Sequence, residues 1–215
     1  GRVPSLDHTI NNKFLSASVK VHYDNKMVPH IFGKNLTDVI FAQGYVTASL
    51  RLWQMELQTH DAAGRLAEIL GTTDALRKVL IEKDKLTRRI GIPLGARNAI
   101  KKWSKSPEEF NVLNAYTAGI NAYINSLSYS KLPLLYKLQD YYPEQWTTLK
   151  SALLMKSMGR TLTGRNHDFQ LTAVLKHLGL EKFNNLYGDY FEEQSPIILD
   201  TLKIGEPVTI NEDEQ

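Results

Sequence analysis

Histidine is the first residue type to test for chemistry, because its imidazole ligates metals and moves protons near neutral pH. The six in this 215-residue chain stand at positions 8, 22, 30, 60, 167 and 177. None of these intervals forms HExxH or another ligand spacing, and each histidine reads as a surface or satisfied core residue more readily than as a ligand. Cysteine is absent, which removes disulfide scaffolds, Cys-ligated zinc, iron–sulfur clusters and a thiol nucleophile together. No GxGxxG, P-loop or GxSxG segment occurs, so nucleotide-binding and α/β-hydrolase readings lack their main support. What stands out is a density of Trp, Tyr, Gly and Arg in two segments, Val28 to Gly71 and Leu113 to Tyr123. Within the first, Arg51 with Glu56 and Arg65 with Glu68 are spaced to tie helix ends together.

The elements that carry these segments are mostly helical. Val19, Val21 and Tyr23 alternate with Lys20 and His22, and after Asp24-Asn25-Lys26 comes a second apolar run through Phe32. Two strands with a tight turn fit this, the second at an edge or short because Pro29 cannot donate to a ladder. From Asp38 the period lengthens. Val39, Ala42, Val46, Leu50, Trp53 and Leu57 form one stripe and Phe41, Tyr45, Ala48 and Leu52 another, so a helix capped by Asn35 or Thr37 is buried on more than one side. Gly64 and Gly71 bracket a short helix, and the charged run Arg77 to Arg89 reads mainly as a solvated helix face. Pro107-Glu108-Glu109 opens a further helix, Leu132 to Leu138 a short one, and Trp146 to about Leu162 another. Gly164 and Asn166 interrupt the pattern before a helix from about Asp168 to His177, closed by Gly179.

The expected architecture is therefore mainly α with a few strands (α+β). It forms one domain over 1–215, with strands about 17–32, helices about 36–178 and an irregular part about 180–215 ending in a mobile tail, Asn211 to Gln215. With 42% hydrophobic and 23% charged residues the chain has the composition of a soluble folded protein. Its net charge of +3, read as evenly spread, does not suggest a nucleic-acid partner. No apolar run approaches the ~20 residues of a membrane span, and the N-terminus lacks the order of a signal peptide.

The order of motifs resembles the opening of the penicillin acylase family of N-terminal-nucleophile (Ntn) amidohydrolases. Asp24 with Val28-Pro29-His30-Ile31 is similar to the family's D-x-x-G-V-P-H-I, with Met27 in place of the glycine. Asp38, Phe41-Ala42-Gln43-Gly44-Tyr45, Ala48 and Arg51-Leu52-Trp53-Gln54-Met55 resemble its long first helix, with Leu50 where an Asp usually precedes the Arg. Gly64-Arg65-Leu66-Ala67-Glu68, Asp84, Arg88 or Arg89, Ala115-Tyr116, Gly119 to Tyr123, Leu132-Pro133-Leu134, Pro143 and Trp146 keep the order. The match runs over roughly residues 15 to 180, and its shared order carries it rather than any single motif.

The resemblance implies a precursor that cuts itself, as a zymogen, into a smaller α chain and a larger β chain whose first residue, usually Ser, is the nucleophile. Gly1 has no side chain to attack with, so this chain is expected to be the α chain, with no catalytic residue of its own, in a heterodimer with a β chain from the same precursor. The implied fold is an αββα sandwich completed by that β chain. The implied reaction is hydrolysis of a small N-acyl amide, such as a β-lactam side chain, to a carboxylate and a free amine, with antibiotic resistance as one consequence. An acyl-homoserine-lactone acylase of the same family, or a non-catalytic helical interaction module, is the alternative.

The resemblance also implies site residues. Family α chains place a Met beside the acyl group, followed after two residues by Arg-Phe. In this chain Met158 matches the Met, Thr161 and Leu162 stand at the Arg and Phe positions, and Arg160 is one position ahead. Met158 is read either as a deformable pocket wall or as core filling. Ten residues on, Asp168 falls where the family has an acidic ligand to a structural Ca2+ shared with the β chain; helix capping is its other reading. A periplasmic location, with the signal peptide removed, and no membrane span complete the expectations.

Overall fold

The structure, a computed structural model, describes residues 8–71, 74–163 and 167–187. The chain divides into two compact units, Gly1–Thr163 and Gly164–Gln215. The boundary falls at the Gly164–Asn166 break in the apolar period. The segment expected as a tail, Asn211 to Gln215, lies outside the described residues.

In the first unit β1 (His8–Ile10), β2 (Val19–Tyr23) and β3 (Pro29–Phe32) form an antiparallel sheet in the order β1-β2-β3. Lys20 pairs with Phe32 and His22 with His30, which turns Val19, Val21 and Tyr23 to the core and the charged residues out. β3 is a short edge strand with Pro29 at its start. β1 has only three residues, too few to leave a readable alternation in sequence. The β2–β3 turn is fastened by Asp24, whose Oδ1 accepts from the Lys26 and Val28 amides, both at 2.9 Å. Met27 has φ +63° there, so a methionine occupies the left-handed conformation that glycine adopts without strain.

α1 (Leu36–Ala63) is the axis of this unit. Asn35 caps it, accepting from the Asp38 amide at 2.8 Å, and Gly64, at φ +67°, ends it. The second apolar line is the deeper one: Phe41, Ala48 and Leu52 are buried, whereas Leu50 in the first line is exposed. One side of α1 packs on the sheet through Phe41, Ala42 and Val46. Another packs on α5 (Pro107–Asn125), meeting Ile120, Ile124, Tyr136 and Trp146. The two helix backbones touch at Gly44 and Gly119, where a Cβ would strike the carbonyls of Tyr116 and Phe41 respectively.

Between these lie α2 (Leu66–Leu70), α3 (Asp74–Ile90) and α4 (Ile92–Trp103), and after α5 come α6 (Leu134–Leu138) and α7 (Thr148–Leu162). Several residues that carry the resemblance act as fasteners. Asp38, buried, accepts from the Ser16 amide and hydroxyl (3.0 and 2.6 Å), the Ala17 amide and Asn35; burial raises its pKa, but these donors hold it below the usual value. Asp84, also buried, caps α2 by accepting from the Leu66 and Ala67 amides at 2.9 Å, while Arg88 donates to the Gly64 carbonyl. Within the charged run, then, Asp84 is buried rather than solvated, and Arg88, though exposed, ties α3 to the end of α1.

In the second unit α8 (Asp168–Leu178) and α9 (Leu180–Tyr187) meet at Gly179, φ +78°. α9 is helical where the sequence reading expects irregular chain. Leu180, Phe183 and Tyr187 share one side of it, and the Phe183 and Tyr187 rings lie 5.2 Å apart.

Gly119→Ala is expected to lower stability by about 3 kcal/mol, because the α1 backbone blocks the added methyl. Gly159→Ala, on an open part of α7 with nothing within 4 Å, should instead raise it by roughly 0.5 to 1 kcal/mol. Urea unfolding of the two variants checks both signs.

Candidate functional site

α7 carries four of the five residues the resemblance assigns to a site. Its N-terminal half is fixed: Thr147 caps it, accepting from the Lys150 amide at 3.3 Å, and Lys150, Ala152 and Leu153 are buried. Its C-terminal half is open. Met158 is 58% and Leu162 77% exposed, with Met155 at 59%. At about 100° per residue, Met155, Met158 and Leu162 fall within about 60° of one another, Thr161 lies beside them, and Arg160 lies about 200° from Met158. The structure thus brings Met158, Thr161 and Leu162 to one side and sets Arg160 on the other. In this chain Met158 does not fill the core. Thr161 turns its hydroxyl back to the Ser157 carbonyl at 3.1 Å. Asp168 is the first residue of α8, exposed, with His167 rather than Asp168 in the capping position. It complements the dipole of that helix.

The ionisable cluster that the structure assembles is elsewhere. Glu56 and His60, one turn apart on α1, are fully buried, and Lys150 reaches them from α7, 94 residues away in sequence. The Lys150 ammonium lies 2.9 Å from Glu56 Oε1 and 3.1 Å from Glu144 Oε2. Arg65 grips Glu144 at 2.8 Å and Glu68 at 2.7 Å, so the Arg65–Glu68 tie read from spacing is present. The Arg51–Glu56 tie is replaced: Arg51 bonds Gln54, and Glu56 turns inward. His60 Nδ1 donates to the Glu56 main-chain carbonyl at 3.0 Å, and Nε2 lies 3.4 Å from the Tyr141 hydroxyl. That hydroxyl is also 3.4 Å from Glu56 Oε1.

Glu56, His60 and Glu144 offer ligand atoms within 4.8 Å of one another. The Lys150 ammonium already bonds both carboxylates, so the charge a metal would bring is supplied by the protein. The electrostatics agree with a closed ion-pair junction. Burial raises the Glu144 pKa, yet the bonds from Arg65 and Lys150 outweigh it and hold the carboxyl near 2. Burial, reinforced by Glu56, pushes the Tyr136 and Tyr141 hydroxyls well above the ordinary phenol value. Neither of two surface grooves, one lined by Asn11 to Ser18 and one between β3 and α1, includes a member of the cluster. Sequence reasoning missed this junction because its partners are far apart. The available signal was Glu56 and His60 at i,i+4 on a helix buried on several sides.

The family model described as Penicillin amidase matches residues 18–197. Penicillin acylase 2 proenzyme of a Pseudomonas species is 36% identical over 157 residues, 73% of this chain and 19% of that protein. Penicillin G acylase of Escherichia coli is 30% identical over 80% of this chain and 21% of its own length. Acyl-homoserine lactone acylase QuiP of Pseudomonas fluorescens is 32% identical over 86% of this chain and 22% of its own. The chain spans about a fifth of the length of these curated relatives. A solved thermostable penicillin G acylase from Alcaligenes faecalis matches with a TM-score of 0.68 at 24% identity, over 84% of this chain and 96% of that one, a likeness of fold.

Because the Glu144 carboxyl is held near 2 in the folded chain against an ordinary 4.5, its contribution to stability is complete above about 4.5 and is lost as pH falls towards 2. Glu144→Gln is expected to destabilise at pH 7 by about 1 kcal/mol, a value discounted for its partial exposure. The gap to the unsubstituted protein should close between pH 4.5 and 2. Urea unfolding across that range checks it, and a gap independent of pH would assign the effect to packing.

Proposed function

The chain belongs to the penicillin amidase family, and from that premise we propose that it is the α chain of a processed N-acyl amidohydrolase whose catalytic nucleophile lies on a second, larger chain. Two likenesses support this: one curated relative is named a proenzyme, and the fold is like that of a solved acylase chain. In the proposed assembly the β chain begins with Ser and completes the αββα sandwich, in the periplasm. The Ser hydroxyl attacks the acyl carbonyl carbon while its own α-amine, whose ordinary pKa is about 7.7 to 8.0, takes the proton. That proton passes to the departing amine, and water then releases the carboxylate from the acyl-enzyme.

The observation that carries the pocket reading is the exposed side formed by Met158 and Leu162 on a helix whose other half is clamped in the core. Met158 gives a deformable apolar wall. Leu162, in place of an aromatic residue, leaves room for an aliphatic acyl group. This favours a straight or branched alkanoyl chain over phenylacetyl, and with the acyl-homoserine lactone acylase relatives it supports a second reading, cleavage of an N-acyl lactone. Arg160, on the opposite side of α7, stands outside this wall. Asp168 is proposed to give one carboxylate oxygen to a structural Ca2+ whose other ligands come from the β chain. Its exposed, hard-oxygen donor fits calcium, whereas the imidazole and ammonium of the Glu56 cluster do not.

Expression of the full-length precursor tests the assignment. Two chains should copurify, the larger starting with Ser, and hydrolyse N-acyl amides. Leu162→Phe should shift the kcat/KM ratio of phenylacetyl to alkanoyl substrates by roughly 10- to 200-fold. Asp168→Ala should abolish the rise in melting temperature that calcium gives. An uncut product without hydrolysis would overturn the enzyme reading, and an unchanged calcium response would remove Asp168 as a ligand.

A further inference from the structure

α3 turns Leu80, Asp84 and Thr87 into the protein. On a different side of the same helix Val79, Leu86 and Ile90 are 64%, 50% and 47% exposed. At 100° per residue these three positions lie within about 40° of one another, so they form one aliphatic stripe some three turns long. Leu94, near the start of α4, is exposed as well.

The charge around this stripe is concentrated. Between residues 78 and 105 nine Lys and Arg stand against two acids, and one of those, Asp84, is buried in the cap of α2. The remainder of the chain is net acidic, so the overall +3 is not evenly spread as the sequence reading has it. Some of the cations are engaged: Lys83 with Asp61 at 2.7 Å, Lys85 with Glu82 at 2.8 Å, and Arg88 with the Gly64 carbonyl. Lys78 and Arg89 on α3, and Arg97, Lys101 and Lys102 on α4, are exposed.

We propose that α3, with the outer side of α4, docks on an anionic lipid bilayer. Val79, Leu86 and Ile90 enter the acyl boundary, and the neighbouring Lys and Arg meet headgroup phosphates with their stems along the apolar surface. The pairing of the two features selects this occupant. A nucleic acid would use the cations and leave the aliphatic stripe bare, and an apolar protein partner would gain nothing from the excess of cations. Contact is in the plane of the interface: among the described residues no helix is long and apolar enough to cross a membrane.

The test uses the protein from the full-length gene with vesicles of phosphatidylcholine, with and without phosphatidylglycerol, read by cosedimentation. Binding should require phosphatidylglycerol and weaken with salt. Lys78→Glu with Arg89→Glu should cut the bound fraction by about tenfold or more, and Val79→Ser with Leu86→Ser should abolish it. Both variants should keep the melting temperature and any amide hydrolysis, which separates this outcome from the fate of the amidohydrolase assignment. No binding to the anionic vesicles, or binding that both variants leave intact, would overturn the proposal. So would a Leu86→Cys variant whose introduced thiol resists maleimide labelling without vesicles, which would give the stripe to the second chain, or retention on a DNA duplex in place of vesicles, which would give the cations to nucleic acid.

Discussion

A carboxylate with no access to solvent must be met by a cation or by enough donors, or the chain does not fold around it. Glu56 is that carboxylate: the first unit brings a cation and a hydroxyl to its Oε1, while its Oε2 is buried without a hydrogen-bond partner. Lys150 brings α7 to α1, Glu144 shares the ammonium and draws in the segment before α7, and Arg65 ties that segment to the start of α2. Tyr141 closes the remaining side against His60. Replacing such a pair by apolar residues is often neutral, so its consequence is better read in geometry than in net stability. This charge contact, together with the packing of Ala152 and Leu153 on Ala62, Ile92 and Ala96, buries the first turns of α7. The later turns are left for Met158 and Leu162.

The second constraint is steric. Gly44 and Gly119 let α1 and α5 approach to backbone contact, and the layer of Ala48, Leu52, Ile120 and Ile124 then packs without gaps for a side chain at the crossing. A helix that is covered by a sheet on one side, by α5 on another and by α7 near its end has no solvent-facing majority. This is why its apolar residues fall on two lines rather than one.

Much of this was legible in the sequence, and the unread part has physical reasons. The two strands within about 17–32, the cap at Asn35, the short helix between Gly64 and Gly71, the proline start of α5 and the glycine after α8 all rest on local rules, and the structure shows each. The resemblance, too, rests on residues that turn out to be fasteners: Asp38 holds the loop before β2, Asp84 caps α2, and the two glycines set the α1–α5 distance. Such residues identify a family through its scaffold and say little about chemistry. The buried junction was not legible, because Glu56 and Lys150 are separated by 94 residues and nothing local marks Lys150 as inward. Leu50 shows the converse error, an apolar residue in a good period that lies exposed because a competing line wins the core. α9 is not legible because Gly179, which reads as a helix end, is in the structure a joint between two helices.

The Glu56–Lys150 contact clamps α7 to α1 and so helps set the side on which Met158 and Leu162 stand. A double-mutant cycle of Glu56→Gln and Lys150→Met, followed by urea unfolding, measures it most directly. The predicted result is that Lys150→Met alone costs about 3 to 5 kcal/mol by stranding a buried charge, and that the double variant recovers most of that loss. Additive effects, with no recovery in the double variant, would contradict the claim and leave α7 held by apolar packing alone.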